Sequence, residues 1–178
     1  MRSAWLERLA IAVASLALAV VLILLVSGYF SGRDIAPVSG DAAIGLSFPD
    51  EGDQLLAPGQ LHPPYDSEPP TSGPHIPAPI RRDESELSDN QLLQALSVGD
   101  VVLMYGSRRP PAGLARLATR LAGRFTRSLA ASGLAVLLAR RPGISGVTAL
   151  AWTRMLRLGG VDAPLLREFT DAWLGRGA

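Results

Sequence analysis

Residues 62–75 read His62-Pro63-Pro64-Tyr65-Asp66-Ser67-Glu68-Pro69-Pro70-Thr71-Ser72-Gly73-Pro74-His75, and the rest of the chain is organised around them. Both histidines of the sequence stand at the ends of this stretch. Its prolines fix φ and bias the residues before them toward extended conformations. A turn is predicted near its end, because glycine adopts conformations that other residues resist. The residues expected to build this rigid loop are Tyr65, Pro70, Thr71, Ser72, Gly73 and Pro74.

The two histidines have two open interpretations. In the first, His62 and His75 hydrogen-bond backbone groups and fasten the loop to the domain, while Tyr65 packs its ring there with its hydroxyl bonded. In the second, the same histidines bind copper or zinc, for which imidazole is a common ligand. Asp66 or Glu68 would have to complete such a site, because protein zinc sites need more ligands than these two side chains. The shortage of ligands favours the first interpretation.

The composition excludes some classes of function. The chain has 178 residues and a formal net charge of +1, whereas a nucleic-acid-binding domain usually carries a clear basic excess. No nucleic-acid partner is therefore expected. The sequence has no cysteine, which removes disulfides, thiol nucleophiles and cysteine metal ligands.

The segment from Leu9 to Phe30 is uncharged and apolar, and a run of roughly 20 such residues predicts a membrane-spanning helix. Arg2 and Arg8 precede it, and acidic residues dominate the segment that follows. The positive-inside rule then places the N-terminus in the cytoplasm and the rest of the chain on the periplasmic, extracytoplasmic side of the cell inner membrane. A cleaved signal peptide is the alternative, although the apolar part of a signal peptide is typically shorter.

The predicted organisation has three parts: residues 1–30 with the membrane helix, a flexible linker over residues 31–61, and a domain over residues 62–178. The linker mixes glycine, proline, serine and acids without a helical or strand period. The domain is expected to be α+β, with a small three-stranded sheet packed with two or three helices. The predicted strands are residues 101–105, 134–138 and 147–158, the first two parallel and the third antiparallel, and the predicted helices are residues 88–99, residues 112–129 and the segment after Asp162.

Four arginines recur along the predicted helix over residues 112–129, apart from its apolar stripe. Guanidinium groups at such positions suit an acidic protein partner or anionic headgroups. The plainer interpretation is an exposed helix face whose arginine stems cover apolar surface. This interpretation gains weight because every basic residue of the sequence is arginine. The residues concerned are Arg116, Arg120, Arg124 and Arg127.

Enzymatic motifs are scarce. Ser72 lies close to His75 in the sequence, but a nucleophile needs a base within hydrogen-bond reach and that base needs its own orienting group. The chain has no G-x-S-x-G elbow, phosphate loop or dinucleotide fingerprint. No catalytic residue is predicted, and a hydrolase remains only a third alternative.

The motif Pro69-Pro70-Thr71-Ser72-Gly73-Pro74-His75 resembles an uncharacterised bacterial family, domain of unknown function 3105. Three C-terminal pieces resemble its usual ending, and the similarity extends from about His62 to Gly177. They are Ala151-Trp152, Val161-Asp162, and Arg167-Glu168-Phe169 continuing through Ala172-Trp173-Leu174-Gly175-Arg176-Gly177. The resemblance implies an N-terminal membrane anchor, which agrees with the hydropathy of this chain.

The chain departs from that family just before the first predicted core strand. The family usually carries histidine, any residue, leucine, glutamate, histidine and glycine there, and this chain has Gln94-Ala95-Leu96-Ser97-Val98-Gly99. No role of those histidines or that glutamate can be transferred. We therefore predict a non-catalytic accessory or interaction domain without a cofactor, anchored by a single membrane pass. Handling of copper or zinc is the alternative.

Overall fold

One mixed six-stranded sheet forms the centre of the computed structural model, which describes residues 44–178. The strand order is β1-β6-β5-β3-β4-β2. The strands are β1 (Leu46–Ser47), β2 (Ser85–Glu86), β3 (Val101–Tyr105), β4 (Val136–Arg140), β5 (Val147–Ala151) and β6 (Arg154–Leu158). Four helices occur in the same described part of the chain: α1 (Asp89–Val98), α2 (Leu114–Ala122), α3 (Arg127–Ala131) and α4 (Ala163–Trp173).

The predicted three-stranded sheet is wrong, although part of its topology is confirmed. β3 and β4 are parallel, and β5 pairs antiparallel with β3, as the sequence predicts. The predicted third strand over residues 147–158 is instead the antiparallel pair β5 and β6. The chain reverses at Trp152 and Thr153, where Thr153 has φ +59°. This turn contains neither glycine nor proline, which are the residues that usually signal a reversal.

The sheet buries side chains on both faces, because successive residues of a strand point to opposite sides. Val102 and Met104 of β3 pack on the face covered by α1. Leu103 and Tyr105 pack on the other face, against α2 and α4. Apolar residues without alternation therefore make up the central strands, as expected for strands covered on both sides.

Two helix ends follow the sequence signals closely. Ser88 accepts a hydrogen bond from Gln91 N, and the Gln91 side chain bonds back to the Ser88 backbone, which forms a capping box at the start of α1. Gly99 ends the same helix in a left-handed conformation. Asp162 caps α4 through Leu165 N, with proline in the first turn.

The single helix predicted over residues 112–129 is wrong, because two helices occupy that segment. α2 ends at Gly123, where φ is +81°, and Thr126 caps α3 by accepting a hydrogen bond from Leu129 N. The apolar residues before the break pack against the α4 side of the sheet, and Ala130 after the break packs on the α1 side. The break therefore lets one segment cover both faces.

Part of the predicted linker contributes to the sheet. β1 pairs antiparallel with β6, and Leu56 is buried. Among residues 44–178, no helix has the length and apolar character needed to cross a membrane. The predicted membrane helix from Leu9 to Phe30 and residues 31–43 of the predicted linker lie outside the described residues, so the structure does not support that part of the predicted fold.

Candidate functional site

The proline-histidine loop is tied to two separate parts of the domain. Thr71 and Ser72 are fully buried. The carbonyl oxygen of Thr71 accepts a hydrogen bond of 3.0 Å from Thr153 N in the β5–β6 turn. The Ser72 hydroxyl donates to the carbonyl oxygen of Pro49 at 3.0 Å and accepts from Glu51 N at 3.1 Å. Because these backbone groups engage Ser72, its hydroxyl forms no nucleophile–base pair with His75.

His75 is fully buried and bonds mainly to backbone. Its N–H donates to the carbonyl oxygen of Gln54, and its own carbonyl oxygen accepts from Leu56 N. Ring nitrogen Nδ1 lies 3.0 Å from the carbonyl oxygen of Gly73. Since a carbonyl oxygen only accepts, Nδ1 carries the proton and a neutral ring has an unprotonated Nε2. Nε2 is buried and has no hydrogen-bond partner within residues 44–178.

His62 and Tyr65 form the outer side of the loop. The Tyr65 hydroxyl donates to the carbonyl oxygen of Pro74 at 2.9 Å, and burial raises the Tyr65 pKa. The exposed ring of His62 stacks on the Tyr65 ring with centroids 4.5 Å apart. A Cβ at Gly73, where φ is +131°, would lie 2.8 Å from a Tyr65 ring carbon. Glycine at this position thus lets the tyrosine ring pack directly on the backbone.

The histidines of the predicted metal site occupy different environments. His62 is exposed, whereas His75 is fully buried. Of the predicted helpers, Asp66 is exposed and Glu68 forms an ion pair with Arg141. In the part of the chain that the structure describes, no group of three or more histidine, cysteine or acidic side chains is placed to hold a metal ion. Binding of copper or zinc stays a prediction.

The four predicted partner-binding arginines do not share one helix face. Arg116 and Arg120 lie on α2, Arg124 lies in the turn after Gly123, and Arg127 begins α3. All four are exposed. None of them takes part in an ion pair within the described residues. The four arginines do not form one row, because Gly123, which has a positive φ, ends α2 between Arg120 and Arg124.

A cavity of about 510 Å³ lies beside α1 and was not predicted from the sequence. Its wall combines the segment before β2, the C-terminal half of α1, the residue before β3, and α3. The lining residues are Pro79, Ile80, Arg81, Gln94, Ala95, Val98, Asp100, Arg127, Ala130 and Ala131. Gln94 and Val98 are two positions at which the chain departs from the motif of the family it resembles. The cavity thus lies at the site of that departure.

Asp100 is the buried carboxyl group of this cavity. One carboxyl oxygen accepts a hydrogen bond of 2.8 Å from Ala135 N. The other oxygen is buried without a partner among residues 44–178, and the whole residue is 1% exposed. Burial raises the pKa of Asp100 to about 7, against the lowering effect of the Ala135 hydrogen bond. The sequence signal that could have indicated this buried carboxyl is a single acidic residue between Gly99 and an uninterrupted apolar strand.

The C-terminal tail holds the end of α1 in place. Gly175 N donates to the carbonyl oxygen of Gly99, and Ala178 N donates to that of Ser97, both at 2.9 Å. The Ser97 hydroxyl donates to the carbonyl oxygen of Gln94. Backbone hydrogen bonds from the C-terminal tail therefore hold the α1 wall of the cavity in place.

Comparison with known proteins identifies one family. The sequence model of a family described as "Protein of unknown function (DUF3105)" matches residues 62–177. No curated protein and no solved structure matches the chain. The match spans the proline-histidine loop, both faces of the sheet and the C-terminal tail. The resemblance seen in the loop and tail is thereby confirmed, and the chain belongs to the DUF3105 family.

Proposed function

We propose that this chain is a non-catalytic interaction domain that binds an acidic protein partner on the extracytoplasmic side of the cell inner membrane. The apolar segment from Leu9 to Phe30 and the arginines before it support attachment to the membrane in this orientation. Residues 44–178 would then be the part that meets the partner.

The unpaired arginines are the observation that carries the proposal. Arg140 and Arg141 show how the domain uses arginine for its own stability, since they pair with Glu86, Glu68 and Asp89. The arginines around α2 and α3 have no such acidic neighbour in the described structure. Guanidinium groups bind carboxylates in a fork geometry, with stronger hydrogen bonds than neutral groups form. An acidic surface is therefore the complementary partner.

The loop supports a non-catalytic role. Thr71, Ser72 and His75 are buried, and their polar groups bond mainly to backbone. These buried, hydrogen-bonded residues hold the loop against the β5–β6 turn and against the segment of residues 49–56. We therefore assign the family's proline-histidine motif a structural role in this chain.

The test reverses charge at two of the arginines. Arg120→Glu combined with Arg124→Glu should release partners that co-purify with the full chain under gentle extraction. A matched control, Arg108→Glu with Arg109→Glu, changes the same charge at exposed positions outside the set. Retention of every partner by the first variant would refute the proposal, as would equal losses in both variants.

The membrane placement has its own test. A reporter that is active only outside the cytoplasm, fused after Ala178 through a flexible spacer, should be active. N-terminal sequencing of the mature protein should find the segment from Leu9 to Phe30 still attached. Activity of a cytoplasm-only reporter at the same position would contradict the placement, and a mature start near Tyr29 would replace the anchor with a signal peptide.

A second candidate function, binding of copper or zinc, is favoured by the unpartnered Nε2 of His75. Titration of the full chain with either metal would compare His75→Ala and His62→Ala with the wild type. Weaker binding in both variants would support the metal site. Binding weaker than micromolar in the wild type, or unchanged by either substitution, would exclude it.

A further inference from the structure

The cavity beside α1 has the size and apolar wall of a small-molecule site. Its volume of about 510 Å³ falls in the range of roughly 300–1,000 Å³ that is typical of ligand pockets. Most of its wall is apolar. The apolar lining residues are Pro79, Ile80, Ala95, Val98, Ala130 and Ala131.

Asp100 is the one acidic residue among those that line this cavity. Side chains alternate along a strand, and Val102 and Met104 of β3 pack on the α1 face of the sheet. Asp100 stands two residues before Val102, just outside the strand, and its hydrogen bond from Ala135 N places its carboxyl beside a residue of the α1-side cluster. The residue is 1% exposed, and one carboxyl oxygen has no hydrogen-bond donor in the described structure. In the ionised form, which Asp100 adopts above a pKa raised to about 7, that oxygen is an acceptor without a donor. This is unfavourable in the interior, so a ligand N–H would relieve the cost.

Two arginines line the cavity at exposed positions, which define its mouth. Arg81 comes from the segment before β2, and Arg127 comes from the start of α3. Both are exposed, and neither forms an ion pair within residues 44–178. Guanidinium groups on opposite segments fit a carboxylate. Gln94 supplies a further polar group on the α1 wall.

We propose that this cavity binds a ligand with an apolar side chain, a free carboxylate and an N–H donor. The carboxylate lies between Arg81 and Arg127, the apolar part lies against Ile80 and Ala130, and the N–H donates to Asp100. A free apolar amino acid and the C-terminal residue of a peptide share this chemistry. The inference goes beyond the acidic protein partner: the two sites share Arg127, but Arg120 and Arg124 do not line the cavity.

The test is calorimetric titration of the full chain in lipid nanodiscs, which avoids detergent in the cavity. The probes are L-leucine, L-phenylalanine and the peptides Gly-Gly-Leu and Gly-Gly-Phe, with N-acetyl-leucinamide as the probe that lacks a carboxylate. Binding of the free amino acids alone identifies the first source, and binding of the peptides identifies the second. The amide should bind at least about tenfold more weakly, because hydrogen bonds to charged groups are the strong ones.

Substitutions at the mouth locate the binding. Arg81→Gln and Arg127→Gln should each weaken binding of the favoured probe by about tenfold, whereas Arg108→Gln, at an exposed arginine outside the cavity and outside the partner-binding set, should leave it unchanged. Asp100→Asn should also weaken binding. The mouth variants are at exposed positions, so they test the site even if Asp100→Asn does not fold.

Three outcomes would overturn the proposal. The first is the absence of heat with every probe at millimolar concentration. The second is equal affinity for the amide and the acid. The third is equal loss of binding in Arg108→Gln and Arg127→Gln.

Discussion

Replacing Asp100 with asparagine should change how the stability of the domain depends on pH. The pKa of Asp100 is raised from 3.8 to about 7 by burial, so between these values the folded chain holds a proton that the unfolded chain has released. Stability therefore falls as pH rises through this window and stays constant above it. The substituted asparagine carries no ionisable carboxyl, and its side-chain oxygen can still accept the hydrogen bond from Ala135 N.

The size of the effect follows from the shift. A rise of about 3 units, at about 1.4 kcal/mol per unit, corresponds to at most about 4 kcal/mol between pH 4 and pH 7. The other charged residues that line the cavity, Arg81 and Arg127, are unchanged in the variant. The variant should therefore gain stability over the wild type as pH rises, by up to this amount.

Urea unfolding of residues 44–178, followed by tryptophan fluorescence at a series of pH values, measures the difference. Asp171→Asn is the matched control, because Asp171 is exposed on α4 and its loss removes the same charge. The control should track the wild type at every pH. A difference between Asp100→Asn and wild type that does not change with pH, or that grows as pH falls, would refute the assignment of a buried, protonated carboxyl.

Four further substitutions can be measured by the same unfolding assay. Gly133→Ala should destabilise by several kcal/mol, because a Cβ there would collide with the carbonyl oxygen at the end of α1. Gly113→Ala, also at positive φ but with open space around it, should cost only about 1–2 kcal/mol, and equal losses would contradict the collision. Ser88→Ala removes the cap of α1 and should cost about 1 kcal/mol; no loss would mean that the capping box adds nothing. Tyr65→Phe removes the hydrogen bond to Pro74 and should cost about 1 kcal/mol, and a neutral result would show that ring packing alone holds the loop.

Local signals predicted the elements that carry them. The capping serine and the terminal glycine define α1, and Asp162 with its following proline defines the start of α4. The apolar run of β3 was predicted with its observed bounds and that of β4 two residues too early, and their parallel pairing follows from the helical connection between them. These features depend on residues close in sequence, so the sequence alone is enough to find them.

The remaining features depend on tertiary structure. β1 and β2 have two residues each, which is too short for a periodic pattern. Gly123 reads as a tolerated glycine inside a helix, yet the chain must change faces of the sheet there. The cavity brings together the segment before β2, α1 and α3. Asp100 is the one acidic residue that lines it. No local sequence pattern predicts that these distant segments come together.

The pairing of β1 with β6 has a practical consequence for protein production. The family match begins at residue 62, but Leu46 and Ser47 cover the outer side of β6. A fragment trimmed to the matched region would leave that strand with unpaired N–H and C=O groups, which recruit other chains and promote aggregation. It would also remove the backbone acceptors of Ser72 and His75. Expression should therefore begin at residue 44 or earlier if a monodisperse sample is wanted.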